Sequence, residues 1–312
     1  METSHTVAHT DVKSAAARIA GQVRPLTVAP VGEGLHFALE FLQHTGTFKA
    51  RGQANFLAAH AEQGALPEAG VVIASGGNAG LACAWATARH GIEAHVFVPE
   101  TTPAVKVAGL RRYGADVRLE GALYGEALEA SRAYAASSGA LVAHAYDNPL
   151  VSAGAGTLLP ELAAAVPDGI DTVIVSVGGG GLYAGVAAAA DHLGIRVVAV
   201  EPEGSRALHA ALEAGKIVDV VPDSIAADAL GAPRVSQDAL TWAQHPGTRS
   251  VLVPDEAIAA ARRTLWADHR IAVENAAATA YAALTHGAYD PQPGERIAVV
   301  LCGANADPSG LT

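Results

Sequence analysis

The sequence predicts an α/β protein of two lobes, with parallel-type sheets covered by helices. Three observations predict it. From about residue 70, short β-branched runs alternate with longer Ala-rich stretches. The short runs are apolar throughout, the pattern of strands buried on both faces. The alternation comes as two series, and two α/β lobes with a ligand between them, at the carboxyl ends of the strands, account for that.

The elements follow in order. "GVVIASGGN" (70–78) reads as a strand running into a glycine loop, and "AGLACAWATARHG" (79–91) as a helix stopped by Gly91. "EAHVFVP" is a strand, "TPAVKVAGLRRYG" a helix and "ADVRLEG" a strand; the helix "ALYGEALEASRAYAASSG" and the strand "ALVAHAYD" complete the first series. The second series runs through helix "AGTLLPELAAAV", strand "DTVIVSV", loop "GGGG", helix "LYAGVAAAADHLG" and strand "IRVVAVEPEG". The polar loop "VPDSIAADALGAPRVSQ" interrupts it as a candidate site wall, and "ERIAVVLCGAN" is a last buried strand ending in a turn.

Composition narrows the function. The 312 residues are 50% hydrophobic, enough for a two-lobed core. The formal net charge of −11 and the scattered arginines argue against nucleic acid, which needs a basic face. Cys83 and Cys302 have neither metal-ligand spacing nor a disulfide framework, which points to a reducing, cytoplasmic setting. "METSHTVAHTDVK" lacks the apolar run of a signal peptide, and no stretch approaches the ~20 apolar residues of a membrane span.

Four loops carry candidate chemistry. "TFKARG" (47–52) holds Lys49, one of only four lysines. Taken alone, Lys49 reads as a surface lysine capping a helix. In context, Phe48 and the small residues around it would bury the amine, lower its pKa and make it a nucleophile and base. "ASGGNAG" offers successive backbone N–H groups at a helix start, an anion cradle with Ser75 and Asn78 as polar handles, or else an ordinary strand–helix turn. "VSVGGGGLYAG" places Gly178, Gly179, Gly180 and Gly181 after a buried strand, costly in chain entropy unless a phosphate lies against the backbone. A dinucleotide-binding rival reads "GGGGLYAG" and Glu201 as phosphate and ribose ligands, but it leaves Lys49 and "SGGNAG" unused. "LCGAN" holds Cys302, either an inert buried thiol or a weak partner for a ring nitrogen.

In this order, "QHTGTFKARGQAN", "SGGNAGLACAWA", "VPETTPAVKVAGLRRYGADV", "YDNPLVSAGAGTLLPEL", "VGGGGLYAG", "VEPEG", "VENAAATAYAAL" and "LCGAN" resemble the fold type II pyridoxal-phosphate enzymes, in the serine/threonine dehydratase branch. The resemblance covers nearly the whole chain. It implies a tryptophan synthase β-like fold, with a large cofactor-binding domain at 1–68 and 148–312 and a small domain at 69–147. Lys49 would be the Schiff-base residue and catalytic base, with Phe48 beside the cofactor ring. Asn78 would bond the ring hydroxyl, and Ser75, Gly76, Gly77, Asn78 and Ala79 would hold the substrate carboxylate. Gly178 to Gly181, with Leu182, would bind the phosphate. Cys302 would face the ring nitrogen, and Glu274 would lie near the cofactor. The implied reaction removes water from a β-hydroxy amino acid such as L-threonine or L-serine and releases a 2-oxo acid and ammonia. β-Replacement and racemisation are its rivals on the same cofactor, and a homodimer is the family's habit.

Four departures qualify the resemblance. Serine racemases carry a Ser acid/base immediately after the position of Ser75, where this chain has Gly76. Relatives with a divalent cation use a glutamate, matched by Glu201, and an aspartate where this chain has Ala207; a divalent ion, a monovalent ion or none all stay open. A loop that reads Ala-Asp-Gly in many relatives is Ala227-Asp228-Ala229. The regulatory domain of biosynthetic threonine dehydratases is not expected after "CGANADPSGLT". His44 and Tyr146 read as pocket wall or packing, Trp85 as core, and His90 and His95 as solvated turn residues.

Overall fold

The computed structural model describes residues 6–307, so the first residues of "METSHTVAHTDVK" and the end of "CGANADPSGLT" lie outside the described residues. The strands are β1 (Val28–Gly32), β2 (Leu35–Ala38), β3 (Val71–Ala74), β4 (Ala94–Val98), β5 (Asp116–Leu119), β6 (Leu141–Val142), β7 (Thr172–Ser176), β8 (Arg196–Pro202), β9 (Thr248–Val253) and β10 (Ile297–Val300). The helices are α1 (His9–Ile19), α2 (Lys49–Glu62), α3 (Asn78–Arg89), α4 (Ala104–Arg112), α5 (Tyr124–Ser138), α6 (Pro149–Gly156) and α7 (Leu158–Ala165). They continue with α8 (Gly181–Leu193), α9 (Ala207–Ala214), α10 (Ala227–Leu230), α11 (Gln237–Ala243), α12 (Asp255–His269) and α13 (Asn275–Thr285).

Two sheets organise them. One runs β1-β2-β10-β7-β8-β9 and the other β5-β4-β3-β6. Every pairing is parallel except β1 with β2, an antiparallel edge. The uniformly apolar runs behave as expected of two-sided strands: every residue of β3, β4, β7 and β10 is buried. Helix α8 is buried from Gly181 to Ala190, and its alanines let it lie close against the sheet.

The structure differs from the sequence reading in three places. The expected helix "AGTLLPELAAAV" is two helices. Asn148 starts α6 early by accepting the Leu150 and Val151 amides, and the chain turns at Thr157, whose hydroxyl donates to the Gly154 carbonyl. Pro160 then sits in the first turn of α7, where its missing N–H costs nothing. The strand "ALVAHAYD" shrinks to Leu141–Val142, because after the Ala143 amide bonds the Val72 carbonyl the chain leaves the sheet edge and brings Tyr146 to the loop before α8. His95 is not solvated but 5% exposed, since β4 is covered on both faces; its ring bonds Asp116 at 3.0 Å and Tyr134 at 3.0 Å.

Candidate active site

Lys49 is the first residue of α2, and it is half-buried. Its Nζ lies 4.5 Å from the centroid of the Phe48 ring and has no hydrogen bond or ion pair among the described residues. Burial lowers its pKa against the opposing pull of Cys302 and Glu274. The positive end of the α2 dipole pushes the same way, because it disfavours an ammonium at a helix start. Arg51, two residues on, explains why α2 begins here. It is fully buried and ion-paired to Glu40 at 2.8 Å and Glu161 at 2.6 Å, which pins the first turn of α2 to its surroundings. Thr47 is also fully buried, and its hydroxyl has no partner.

The end of β10 delivers Cys302 to the same place. The Phe48 amide donates to the Cys302 carbonyl at 3.0 Å, and Thr47 bridges Gly303. The Cys302 thiol lies 3.5 Å from the Ser176 hydroxyl. Burial, followed by the nearby Glu274 carboxylate, pushes the thiol up to about 12, so it stays protonated at neutral pH. Ser176 ends β7, two residues before Gly178, so this contact sets the glycine loop beside Cys302.

That loop opens α8. Gly180 has φ +92°, a conformation that L side chains rarely adopt. A Cβ on Gly179 would fall 2.3 Å from the Tyr146 ring. One on Gly180 would fall 2.4 Å from the Ala239 methyl. With Cβ positions blocked on the protein side, the backbone N–H groups at the start of a 13-residue helix are left to face an anion. Leu182 is buried behind them. The polar loop packs against the glycine run, since Leu230 and Ala229 lie within 3.3 Å of where a Gly178 Cβ would be.

The second cradle is Ser75 to Asn78, all half-buried, with Ala79 buried below. The Ser75 hydroxyl accepts the Gly77 amide at 3.4 Å. Gly76 carries no side chain; a Cβ there would meet Val98 and Thr102 at 3.3 and 3.4 Å. Asn78 donates from Nδ2 to both carboxylate oxygens of Glu274, at 2.9 and 3.0 Å. Glu274 is 2% exposed, and burial, moderated by the Asn78 bond, raises its pKa. Lys49, Phe48, Asn78, Glu274 and Cys302 therefore form one connected group, with the two glycine loops at its sides.

Glu201 stands apart. It is fully buried, and its two oxygens accept the Leu208 and His209 amides, each at 2.8 Å. Burial pushes its carboxyl up to about 8, against the pull of those amides. A carboxyl committed to the start of α9 is not free to hold a ribose, which removes the support for the dinucleotide reading. Among the described residues the one group of three metal-type side chains is Glu93, His95 and Asp116, which does not include Glu201.

Residue patterns missed three participants. Ser176 is the one polar residue late in an apolar strand, a signal that it has a partner. Asn305 bonds Asn78, and no local pattern announces that. His144 accepts the Asp147 amide at Nδ1 at 2.8 Å, which puts the proton of the neutral ring on Nε2. Trp85 is buried as expected, stacked on His44 at 4.7 Å, and the Tyr146 ring packs behind Gly179.

Comparison with known proteins shows the family. The family model described as pyridoxal-phosphate dependent enzyme matches residues 23–303. The chain is 36% identical to L-threonine ammonia-lyase of Geobacter sulfurreducens over 279 residues, 89% of this chain and 68% of that one. It is 38% identical to phenylserine dehydratase of Ralstonia pickettii over 280 residues, 88% of this chain and 84% of that one. Among solved structures, maize serine racemase superposes with a TM-score of 0.90 at 30% identity, covering 97% of this chain and 95% of that one.

Proposed function

Because the chain belongs to the pyridoxal-phosphate dependent enzymes, we propose that it is a dehydratase, an ammonia-lyase that converts a β-hydroxy amino acid of the L-threonine or L-serine class to a 2-oxo acid and ammonia. One pairing carries the reading: an unpartnered amine of lowered pKa on Lys49, set beside a protonated thiol on Cys302.

The residues present fit the cofactor. A buried amine without a partner suits a covalent anchor, and the backbone at Gly178 to Gly181 suits a phosphate. Bound pyridoxal phosphate supplies an electron sink for a negative charge developing at Cα of an amino acid. On this reading Lys49 holds the cofactor and, when displaced, takes the Cα proton. Ser75 to Ala79 bind the substrate carboxylate at the start of α3. Asn78 offers an N–H to the ring oxygen, and Glu274 orients Asn78. A thiol at Cys302 cannot hold the ring nitrogen protonated as a carboxylate would. A neutral thiol there would leave the bound group a weaker acceptor of electrons, which would suit a substrate that carries a leaving group at Cβ.

A second reading, amino-acid racemisation, is favoured by the overlap with maize serine racemase. It needs a proton donor opposite Lys49, and Gly76 has none to give. A cation at Glu201 forms no part of the dehydratase reading. Free, buried Cys83 and Cys302 suit a reducing compartment, and we assign the enzyme to the cytoplasm as a homodimer. Among the described residues no helix is long and apolar enough to cross a membrane.

The test is 2-oxo acid release from L-serine, L-threonine and L-3-phenylserine, with the visible spectrum and D-enantiomer formation followed together. Coloured protein with oxo acid release is expected. Coloured protein that yields only D-enantiomer transfers the assignment to racemisation. A colourless protein that the cofactor cannot reconstitute overturns both.

A further inference from the structure

The Asn305 side chain makes two donations from Nδ2, to the Thr45 carbonyl at 2.7 Å and to Asn78 Oδ1 at 2.8 Å. A backbone carbonyl can only accept, so it fixes which end of the Asn305 amide is the NH2. Asn78 must then turn its oxygen to Asn305 and its NH2 to Glu274. The relay is anchored at both ends by groups that accept, the Thr45 carbonyl and the Glu274 carboxylate. Its direction is therefore single-valued: carbonyl, Asn305, Asn78, carboxylate. Both contacts to Glu274 can be served by one Asn78 hydrogen, which leaves the other for an incoming acceptor. Thr45 lies four residues before Lys49 and holds φ +63°, a conformation uncommon for a non-glycine residue. The bond from Asn305 is one of the contacts that keep it there.

We propose that Asn305 is a positioning residue, which locks Asn78 in the amide orientation that offers a donor, and not an acceptor, to the ring oxygen of the cofactor. This rests on the reading of Lys49 as the cofactor's anchor. Without Asn305 only Glu274 holds the Asn78 amide, and its oxygen loses the donor that keeps it turned away from the cofactor, so the flipped orientation is opposed from one side instead of two. Asn305→Asp keeps the shape but cannot donate. Asn305→Ala removes the amide without adding charge beside Glu274.

The experiment measures the pyridoxal-phosphate dissociation constant and the pH midpoint of the visible band for the wild type, both Asn305 variants, Asn78→Ala and the double alanine variant. Loss of a neutral hydrogen bond predicts affinity weakened roughly fivefold to tenfold in Asn305→Ala and Asn78→Ala, and by at least as much in Asn305→Asp, whose carboxylate would face two acceptor oxygens. The midpoint should shift in the same direction for Asn305 and Asn78 variants, a readout that general loosening would not reproduce. The double variant should be no worse than Asn78→Ala alone, because Asn305 acts through Asn78. Wild-type affinity and midpoint in both Asn305 variants would overturn the proposal, as would fully additive losses. Failure of the wild type to take up the cofactor would instead overturn the reading of Lys49, and this role with it.

Discussion

With Lys49 as the proposed anchor of the cofactor, its environment sets when the amine is reactive. Burial is the leading cause of its lowered pKa, with Cys302 and Glu274 opposing. Only the neutral amine attacks an aldehyde, and its fraction rises with pH through the folded-state pKa and levels off above it. The rate of cofactor loading should therefore rise with pH and level off below the usual lysine range near ~10.4. A stopped-flow pH profile checks this, and a midpoint at or above the ordinary lysine value would sink it. Lys49→Ala should give no visible band at any pH. Taken alone, Lys49 reads as a surface lysine and Cys302 as an inert thiol; with Asn78 and the glycine run they were legible in the sequence because their short stretches match the family in order. Asn305 was not, because its partner Asn78 is 227 residues away. The surroundings of Glu201 were hidden for a related reason: the sequence shows the carboxylate but not the α9 amides that bond it.

At the scale of elements, α6 decides how the starts of α2 and α8 stand relative to each other. It packs between α2, which begins at Lys49, and α8, which begins at Gly181. Its contacts are backbone against backbone: a Cβ on Gly154 would fall 2.6 Å from the Arg51 carbonyl, and one on Gly156 would fall 2.4 Å from the Gly185 carbonyl. On α8, a Cβ at Gly185 would fall 1.9 Å from the Ser152 carbonyl, which cannot yield without moving a helix. Gly185→Ala should thus cost about 1–3 kcal/mol by overpacking. It should also weaken cofactor binding, because the displaced helix carries the glycine loop. Urea unfolding and cofactor titration check both effects, and unchanged stability would refute the wedge. The alternating runs made most strands and helices legible. The α6–α7 break was not, because it depends on the Thr157 hydroxyl turning back on Gly154, and the antiparallel β1 edge carries no motif.

At the scale of the molecule, the two sheets look separable in sequence but not in their packing. The small sheet spans β3 to β6, and a domain division at 69–147 is our reading of it. Yet one hydrophobic cluster holds Ala50, Phe56 and Leu57 of α2 and Val151 of α6 together with Val71, Ile73, Trp85, Val96 and Leu110. That cluster crosses both proposed boundaries. Unfolding the small sheet alone would expose the face of α2 that it covers, and with it the helix that presents Lys49. The apolar area so exposed makes a half-unfolded state costly, at roughly 25 cal/mol per Å2. The relay from Thr45 through Asn305 and Asn78 to Glu274 ties the same regions by hydrogen bonds. The cofactor-free protein should therefore unfold in one cooperative transition, although two-lobed chains of this length commonly show more. Trp85 reports on the small-sheet side, and Trp242 and Trp266 on the other. Single-tryptophan variants followed in urea should give coincident midpoints. An earlier transition at Trp85 would mean that the small sheet moves and melts as an independent unit, and that the shared cluster is too weak to couple it to α2.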